Sequence, residues 1–324
     1  YPMQSVRIRP NELKLLVTRK MINAGLCEEH ASILADVLVH ADLRGVSSHG
    51  VLRVQHYIRR IKKGGLNTGP KITIRDTGPS SAILDGDNGL GHVIANKAMD
   101  YAIQLAKKTG IGFVGIKNSS HCGALSYYVD SIVLPFGGTK PFFGTNPMAF
   151  GFPVKKHKPI IFDMATSKAA LGKIIKAKEK GEKIPSDWGT NEKGEPVTDP
   201  EKVEYLLPLG GPKGYGLALS VDVLSGILTG SNFGPRIVTM YGEYHKYRKL
   251  GHLVLAIDPG IFISTDVYMN QVDSMIDEIH NVPSADGFDS VMVPGEPEQI
   301  LEEKNIKYGV PIMKTVYEYL LSKE

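Results

Sequence analysis

The stretch 111–128 constrains the fold more than any other part of the chain. An apolar run, Ile111-Gly112-Phe113-Val114-Gly115-Ile116, gives way to the small-residue turn Ser119-Ser120-His121-Cys122-Gly123-Ala124, and Leu125-Ser126-Tyr127-Tyr128 follows with the pattern of a helix start. Strand, turn and helix in that order commit this part of the chain to an α/β arrangement. A histidine is pinned at the junction. Imidazole is the side chain whose ordinary pKa lies nearest neutrality, and strand-to-helix turns are where α/β proteins place chemistry. Taken alone, the same stretch also fits a surface or capping histidine.

Similar junctions recur downstream. The strand Pro159-Ile160-Ile161-Phe162 ends at Asp163-Met164-Ala165-Thr166-Ser167 and predicts a helix from Lys168 to Lys180. Free N–H groups and the positive helix end there suit a phosphate or a ribose, while Asp163 and Ser167 acting only as helix caps is the competing reading. Gly210-Gly211-Pro212-Lys213-Gly214-Tyr215-Gly216 predicts another helix, running to about Leu228. Lys213 would stand at the unfavourable end of its dipole unless an anion joins it. By contrast, Gly89-Leu90-Gly91 only imitates a dinucleotide fingerprint, because position 94, where the third glycine belongs, is Ile. The run Gly144 to Phe150 reads as wandering backbone, with N–H groups open to a ligand.

Ahead of these junctions the chain is helical. Leu13, Leu16, Val17, Met21 and Ile22 mark a first helix from Asn11 to Ala24, and Ala31, Leu34, Ala35, Leu38 and Val39 mark a second, ending near Arg44-Gly45. A third carries Val51, Val54, Tyr57, Ile58 and Ile61 and stops at Gly64-Gly65. The polar pair Ser48-His49 is wedged between the second and third helices, with Arg53 one turn further on. From Lys71 the period changes to that of strands, and Ile72, Ile74 and Ala82-Ile83-Leu84 predict a hairpin. The last part predicts a strand, Leu253 to Ile257, then helices Val267 to His280 and Pro311 to Leu321 around Val293-Pro294-Gly295-Glu296-Pro297.

Composition removes several function classes. The net charge of +4 arises from 38 basic and 34 acidic residues that are interleaved, which disfavours a nucleic-acid stripe. The two cysteines, Cys27 and Cys122, form no zinc spacing and no disulfide framework, so no metal site is expected and a reducing compartment, the cytoplasm, is. The longest apolar run, Gly214 to Thr229, is broken by Asp222, so no membrane span is expected. A hydrolase built on Cys122 beside His121 is disfavoured, since adjacent residues rarely point the same way off a turn.

Six stretches together resemble the type 2 malate/L-lactate dehydrogenase family, which includes ureidoglycolate dehydrogenase, sulfolactate dehydrogenase and diketogulonate reductase. They are 41–50 with Arg53, Ser120-His121-Cys122-Gly123-Ala124, Pro135-Phe136-Gly137-Gly138, Gly144-Thr145-Asn146-Pro147, Phe162-Asp163-Met164-Ala165-Thr166 and Gly211-Pro212-Lys213-Gly214-Tyr215-Gly216. They stand in family order over nearly the whole chain, and 206–251 looks most like the ureidoglycolate branch.

The resemblance implies an oxidoreductase passing a hydride between a small, ureidoglycolate-like 2-hydroxy acid and NAD, with NADP also open. Malate, lactate or sulfolactate are the alternative substrates, and a catalytically inert nucleotide-binding relative is the alternative class. It implies an α/β fold: a non-Rossmann, mixed-sheet cofactor domain like that of sulfolactate dehydrogenase over 76–269, and a helical dimerisation and substrate domain from 1–75 and 270–324. A homodimer is implied as well. The family's proton-transfer histidine falls on His121 or, in other branches, on His49, and its cofactor contacts fall on Asp163, Met164 and Ala165, on Lys213, and near Gly295, Glu296 and Pro297.

Physical chemistry gives these residues matching work. Oxidising a secondary alcohol moves a hydride off carbon as the hydroxyl proton leaves oxygen, so a neutral imidazole within hydrogen-bond reach is the group required. Arg53 can fork the substrate carboxylate and Ser48 can add a hydrogen bond.

One departure stands out. The family has some fifteen or more further residues, including a strand, where Tyr128 to Val133 here close the distance to Pro135-Phe136-Gly137-Gly138 almost at once. Either a strand and a polar cofactor contact are lacking, or a segment has been left out beside residues 129–131. The second alternative is the one expected, and it predicts a Cα step there well beyond the usual length of about 3.8 Å.

Overall fold

The computed structural model describes residues 5–123 and 132–322. The chain begins with β1 (Ser5–Ile8), α1 (Pro10–Asn23) and α2 (Glu28–Leu43). Two 3₁₀ turns, Ser47–His49 and Val51–Arg53, then precede α3 (Val54–Lys62). A hairpin of β2 (Thr73–Gly78) and β3 (Ser81–Asp85) leads to α4 (Gly91–Thr109) and β4 (Ile111–Ser119). Next come β5 (Met148–Phe152), β6 (Ile160–Met164), α5 (Leu171–Lys180), β7 (Gly189–Thr190) and β8 (Tyr205–Leu206). After α6 (Pro212–Val221) the helix widens into a π turn, Asp222–Ile227. The chain finishes with β9 (Leu250–Ile257), α7 (Thr265–His280), α8 (Glu296–Tyr308), β10 (Val310–Met313) and α9 (Lys314–Leu321).

The principal sheet has the order β2-β3-β4-β9. Its central pair, β3 and β4, is parallel, with Ala82 opposite Val114 and Leu84 opposite Ile116, while the outer pairs are antiparallel. A parallel neighbour needs a crossover, and α4 supplies it. The sheet is therefore mixed, as expected, and the failed glycine fingerprint at position 94 agrees with it.

Two apolar cores flank this crossover. Leu84, Ile94, Ala98, Ala102, Val114 and Ile116 pack α4 onto the sheet. Leu13, Val17, Met21, Leu34, Leu38 and Tyr57 of the first three helices share the other core with Val310, Ile312 and Leu320 from the end of the chain. Each such buried side chain contributes roughly 1.5–3 kcal/mol. Pairing of β1 with β10, Ile8 opposite Val310, closes the second core. The first turn of α4 belongs to both, because Val93 lies in the helical core and Ile94 in the sheet core.

Several sequence expectations are corrected. Arg53 is not within the third helix but in the 3₁₀ turn ahead of it, because Asp42 captures the Val51 amide. The helix expected from Lys168 starts at Leu171, and neither Asp163 nor Ser167 caps it: the Lys168 amide bonds Leu207 and the Ser167 hydroxyl bonds Ala169. Residues 310–313 are a strand, because β1 offers them a partner before α9 begins. Met148 to Phe150, read as wandering backbone, belong to β5, which pairs with β6. The helix α8 falls in a stretch given no element in the sequence reading. The shortened connection at residues 128–133, with the Cα break predicted at 129–131, falls largely on 124–131, outside the described residues.

Candidate active site

His121 lies two residues beyond the end of β4, where the amino end of α4 crosses behind it. The Gly91 amide donates to Ser120 Oγ at 2.9 Å, and that hydroxyl donates to the Gly89 carbonyl at 2.8 Å. A Cβ on Gly91 would stand 2.2 Å from the Ser120 carbonyl oxygen and 2.4 Å from that of His121, so only glycine allows this approach. On the opposite side His252 of β9 places Nε2 3.1 Å from Ser119 Oγ and 3.2 Å from the Ser120 carbonyl oxygen. Burial pulls the His252 pKa down, but Cys122, whose Sγ lies 4.0 Å from Nδ1, and the Ser120 carbonyl outweigh it and hold the pKa above its ordinary value.

The His121 ring is 2% exposed, and its Nδ1 lies 2.5 Å from the hydroxyl of Tyr57. Burial raises the Tyr57 pKa, so that hydroxyl stays neutral, and it also lies 3.5 Å from Nε2 of His92. Nε2 of His121 is buried and has no hydrogen-bond partner among the described residues. A polar atom left in that state costs about 1–3 kcal/mol, which a bound ligand group would relieve. Burial, reinforced by His92, Arg248, His49 and Arg53, holds the His121 pKa well below its ordinary value, so the ring is neutral at physiological pH.

The facing wall is the double 3₁₀ turn. Asp42 Oδ2 accepts the Val51 amide at 2.7 Å, and a Cβ on Gly50 would sit 2.1 Å from the Asp42 carboxylate. Burial pushes the Asp42 pKa up to about 7, against hydrogen bonds from Val51 and Ser47 that favour its charge. His49, pushed down to about 3 by burial and by Arg53, has its Nδ1 3.0 Å from Ser48 Oγ. Arg53 donates from Nε to the Ser48 carbonyl at 2.7 Å and from Nη1 to the hydroxyl of Tyr241. Arg53 and Tyr57 are four residues apart at the head of α3 and so share a face. In this way His121 is drawn up to His49, Ser48 and Arg53, which lie about seventy residues away in sequence, with Ser48 half-buried and the other three buried.

The cofactor candidates gather on β6. Asp163 stands opposite Ala149 and Met164 opposite Met148, with Ala165 next beyond the strand. Loss of solvation pushes the Asp163 pKa up to about 6, although the residue keeps solvent contact, so it is mostly ionised at neutral pH. Gly295 precedes α8 with a φ of +94°, and a Cβ there would lie 2.7 Å from the Ile161 carbonyl oxygen. Glu296 accepts the Val293 amide at 2.8 Å and pairs with His280, and Pro297 sits in the first turn. Lys213 is exposed in the first turn of α6, and that turn is tied to the end of β6 by the Leu209 amide on the Thr166 carbonyl at 2.9 Å. The Arg44 guanidinium, 3.4 Å from the Gly295 carbonyl, links this neighbourhood to the double turn.

These residues fit a dinucleotide. The amino end of α6 favours an anion, Lys213 adds a cation and Asp163 offers an acceptor suited to ribose hydroxyls, whereas α8 carries Glu296 and Glu298 in its own first turn. A cavity of about 410 Å³ adjoins the Gly295 turn, lined by Lys158, His280, Met292, Glu296 and Gln299 among others.

The sequence reading missed Tyr57, His92, Tyr241, His252 and Asp42 as parts of the site. Tyr57 sits in an apolar stripe and reads as core, and only its spacing of four from Arg53 hints otherwise. For Tyr241 and His252 no local signal exists.

Comparison with known proteins identifies what the whole chain is similar to. A family model described as malate/L-lactate dehydrogenase matches residues 8–321. The chain is 40% identical to the ureidoglycolate dehydrogenase (NAD(+)) of Escherichia coli K12, covering 98% of this chain and 95% of that protein. A malate dehydrogenase of Pyrococcus abyssi is also 40% identical, over 97% of this chain and 93% of its own. The solved structure of sulfolactate dehydrogenase from Methanocaldococcus jannaschii matches with a TM-score of 0.91 at 37% identity, over 97% of this chain and 95% of that one.

Proposed function

This chain belongs to the malate/L-lactate dehydrogenase family, and we propose that it oxidises a small 2-hydroxy acid of the ureidoglycolate kind with NAD. The observation that carries the reading is a buried, neutral His121 whose Nδ1 is held by Tyr57 and whose Nε2 has no described protein partner. When bound, the nicotinamide supplies the hydride acceptor, and the protein supplies position and proton handling.

His121 takes the hydroxyl proton at Nε2, and burial keeps that lone pair available at neutral pH. Arg53 binds the substrate carboxylate, and Ser48 and His49 complete the polar wall. Asp163, Met164, Ala165, Lys213 and the turn Gly295-Glu296-Pro297 hold the dinucleotide. We assign the base to His121 rather than His49, because His121 stands at the turn after β4 with its Nδ1 held by a buried, neutral tyrosine.

The enzyme acts as a cytoplasmic homodimer, with 1–75 and 270–324 as its helical domain and 76–269 binding the cofactor. The core shared by α1 to α3 with β10 and α9 supports that division. Among the described residues no helix is long and apolar enough to cross a membrane.

The test is a panel of ureidoglycolate, malate, lactate and sulfolactate with NAD or NADP, followed at 340 nm, beside sedimentation at micromolar concentration. Turnover of ureidoglycolate with NAD is expected. Nucleotide binding without turnover of any 2-hydroxy acid would leave an inert relative instead.

A further inference from the structure

The substrate end of the site has a wall that the family motifs do not contain. Residues 238–248 run along α3 in irregular backbone, fixed there by two buried arginines. Arg60, 2% exposed, donates from Nη1 to the Lys246 carbonyl at 2.9 Å and from Nη2 to the Met240 carbonyl at 2.9 Å. Arg248, 1% exposed, donates from Nε to the Val238 carbonyl at 3.0 Å. Hydrogen bonds from a charged guanidinium are stronger than neutral ones, and here they pin an irregular segment by its carbonyls.

Tyr241 is the residue that this clamp aims at the site. Its hydroxyl oxygen accepts from Nη1 of Arg53, and its ring meets that of His56 edge-on, with centroids 5.3 Å apart and planes at 69°. Oxygen and ring are thus each fixed by α3 or the turn ahead of it. The residue is nevertheless 37% exposed, unlike Arg53 at 5%. Accepting from a cation polarises a hydroxyl and strengthens it as a donor. The hydroxyl proton has no acceptor among the described residues.

We propose that Tyr241 is a substrate-binding residue: its hydroxyl, locked on Arg53, donates a hydrogen bond to the carboxylate of the 2-hydroxy acid. Guanidinium and phenol then present two donor types side by side, and the clamped segment 238–248 sets where the carboxylate, and hence the carbon to be oxidised, comes to rest. The inference deepens the proposed function and rests on it.

The experiment compares wild type with Tyr241→Phe and Tyr241→Leu. Affinity for oxamate, a carboxylate resembling a 2-keto acid, is measured by calorimetry on the enzyme saturated with NADH, alongside kcat and KM. A hydrogen bond to a charged group predicts that Tyr241→Phe weakens oxamate binding and raises KM about tenfold, with kcat within about twofold and NADH affinity unchanged. Tyr241→Leu should show the same loss, plus a lowered Tm because the contact with His56 is gone. Should Phe match wild type while Leu does not, the ring is structural and the inference is overturned. A fall in kcat at constant KM overturns it as well, as does a wild type that binds no oxamate. Oxamate binding that responds to Tyr241→Phe, in an enzyme that turns over no 2-hydroxy acid, would overturn the proposed function and leave of this inference only the carboxylate contact at Tyr241.

Discussion

The hydroxyl of Tyr57 and Nδ1 of His121 lie 2.5 Å apart, with both side chains buried. The contact engages one ring nitrogen and leaves the other as the only part of the imidazole still in need of a partner. As the proposed base, a ring held in this way would lose little entropy when its substrate arrives.

Removing the hydroxyl should therefore impair turnover more than binding. For Tyr57→Phe we expect kcat to fall about tenfold, and for His121→Ala by about 10²-fold or more, with NADH binding retained in both. Because burial lowers the His121 pKa, the acid limb of kcat/KM should lie below pH 6.5. Fluorescence titration of NADH and a pH–rate profile check these points. Undiminished turnover in Tyr57→Phe would mean that packing alone sets the ring.

Arg53→Lys keeps the charge and loses the planar fork that reaches both the Ser48 carbonyl and the Tyr241 hydroxyl. KM for the 2-hydroxy acid should rise about tenfold or more, with a smaller loss in kcat. An equal loss for an analogue without the carboxylate would contradict the role.

Acid should destabilise the fold. His49, His56 and His92 are each pushed down to about 3 by burial, and His121 is lowered too, against an ordinary value of 6.5. The unfolded chain therefore takes up protons below about pH 6.5 that the folded chain refuses, so stability present above that pH is lost as pH falls toward 3. Asp42, raised from 3.8 to about 7, acts oppositely: its contribution is full below 3.8 and disappears as pH rises through 7. Asp163 and Asp222, raised by burial, and His252, held above its ordinary value, side with Asp42, while His30 and His40, lowered by burial, side with the other histidines, and the six histidines outweigh these four groups. The Tm should drop between pH 7.5 and 5, and His92→Gln should flatten the slope; a Tm rising over that interval would refute the assignment.

Gly50→Ala is a small change with a large expected effect, since the new methyl would meet the Asp42 carboxylate at 2.1 Å. Overpacking of this kind costs typically 1–3 kcal/mol. We expect a lower Tm and weaker turnover together, since Asp42 anchors the turn that carries His49 and Arg53. Calorimetry with steady-state assays checks this, and normal behaviour of the variant would show that the turn can shift aside.

What could be read from the residues followed their local order. Leu13, Val17 and Met21 announce a helix by spacing alone, and the turn after Ile116 announces its histidine. The partners of those residues come from elsewhere in the chain. Tyr57 looks like core because it is core, and its hydroxyl acquires a role only when the β4 turn is folded against α3. Tyr241 lies in a segment without periodicity, fixed by arginines whose targets are carbonyls, which carry no side-chain signature. Strand β10 was hidden for a related reason, since Pro311 fits a helix start equally well until β1 is seen beside it.

The pairing of β1 with β10 has a bearing on how the protein is made. The Arg7 side chain donates to the Gly309 carbonyl across 302 residues, so β1 has no mate until β10 has been synthesised. The sheet around β4 draws on no residue beyond Ile257 and can form earlier. Loop closure of that span is slow and comes last. A nascent chain can thus form the sheet that carries His121 before β10 and α9 close the helical core in which Tyr57 is packed.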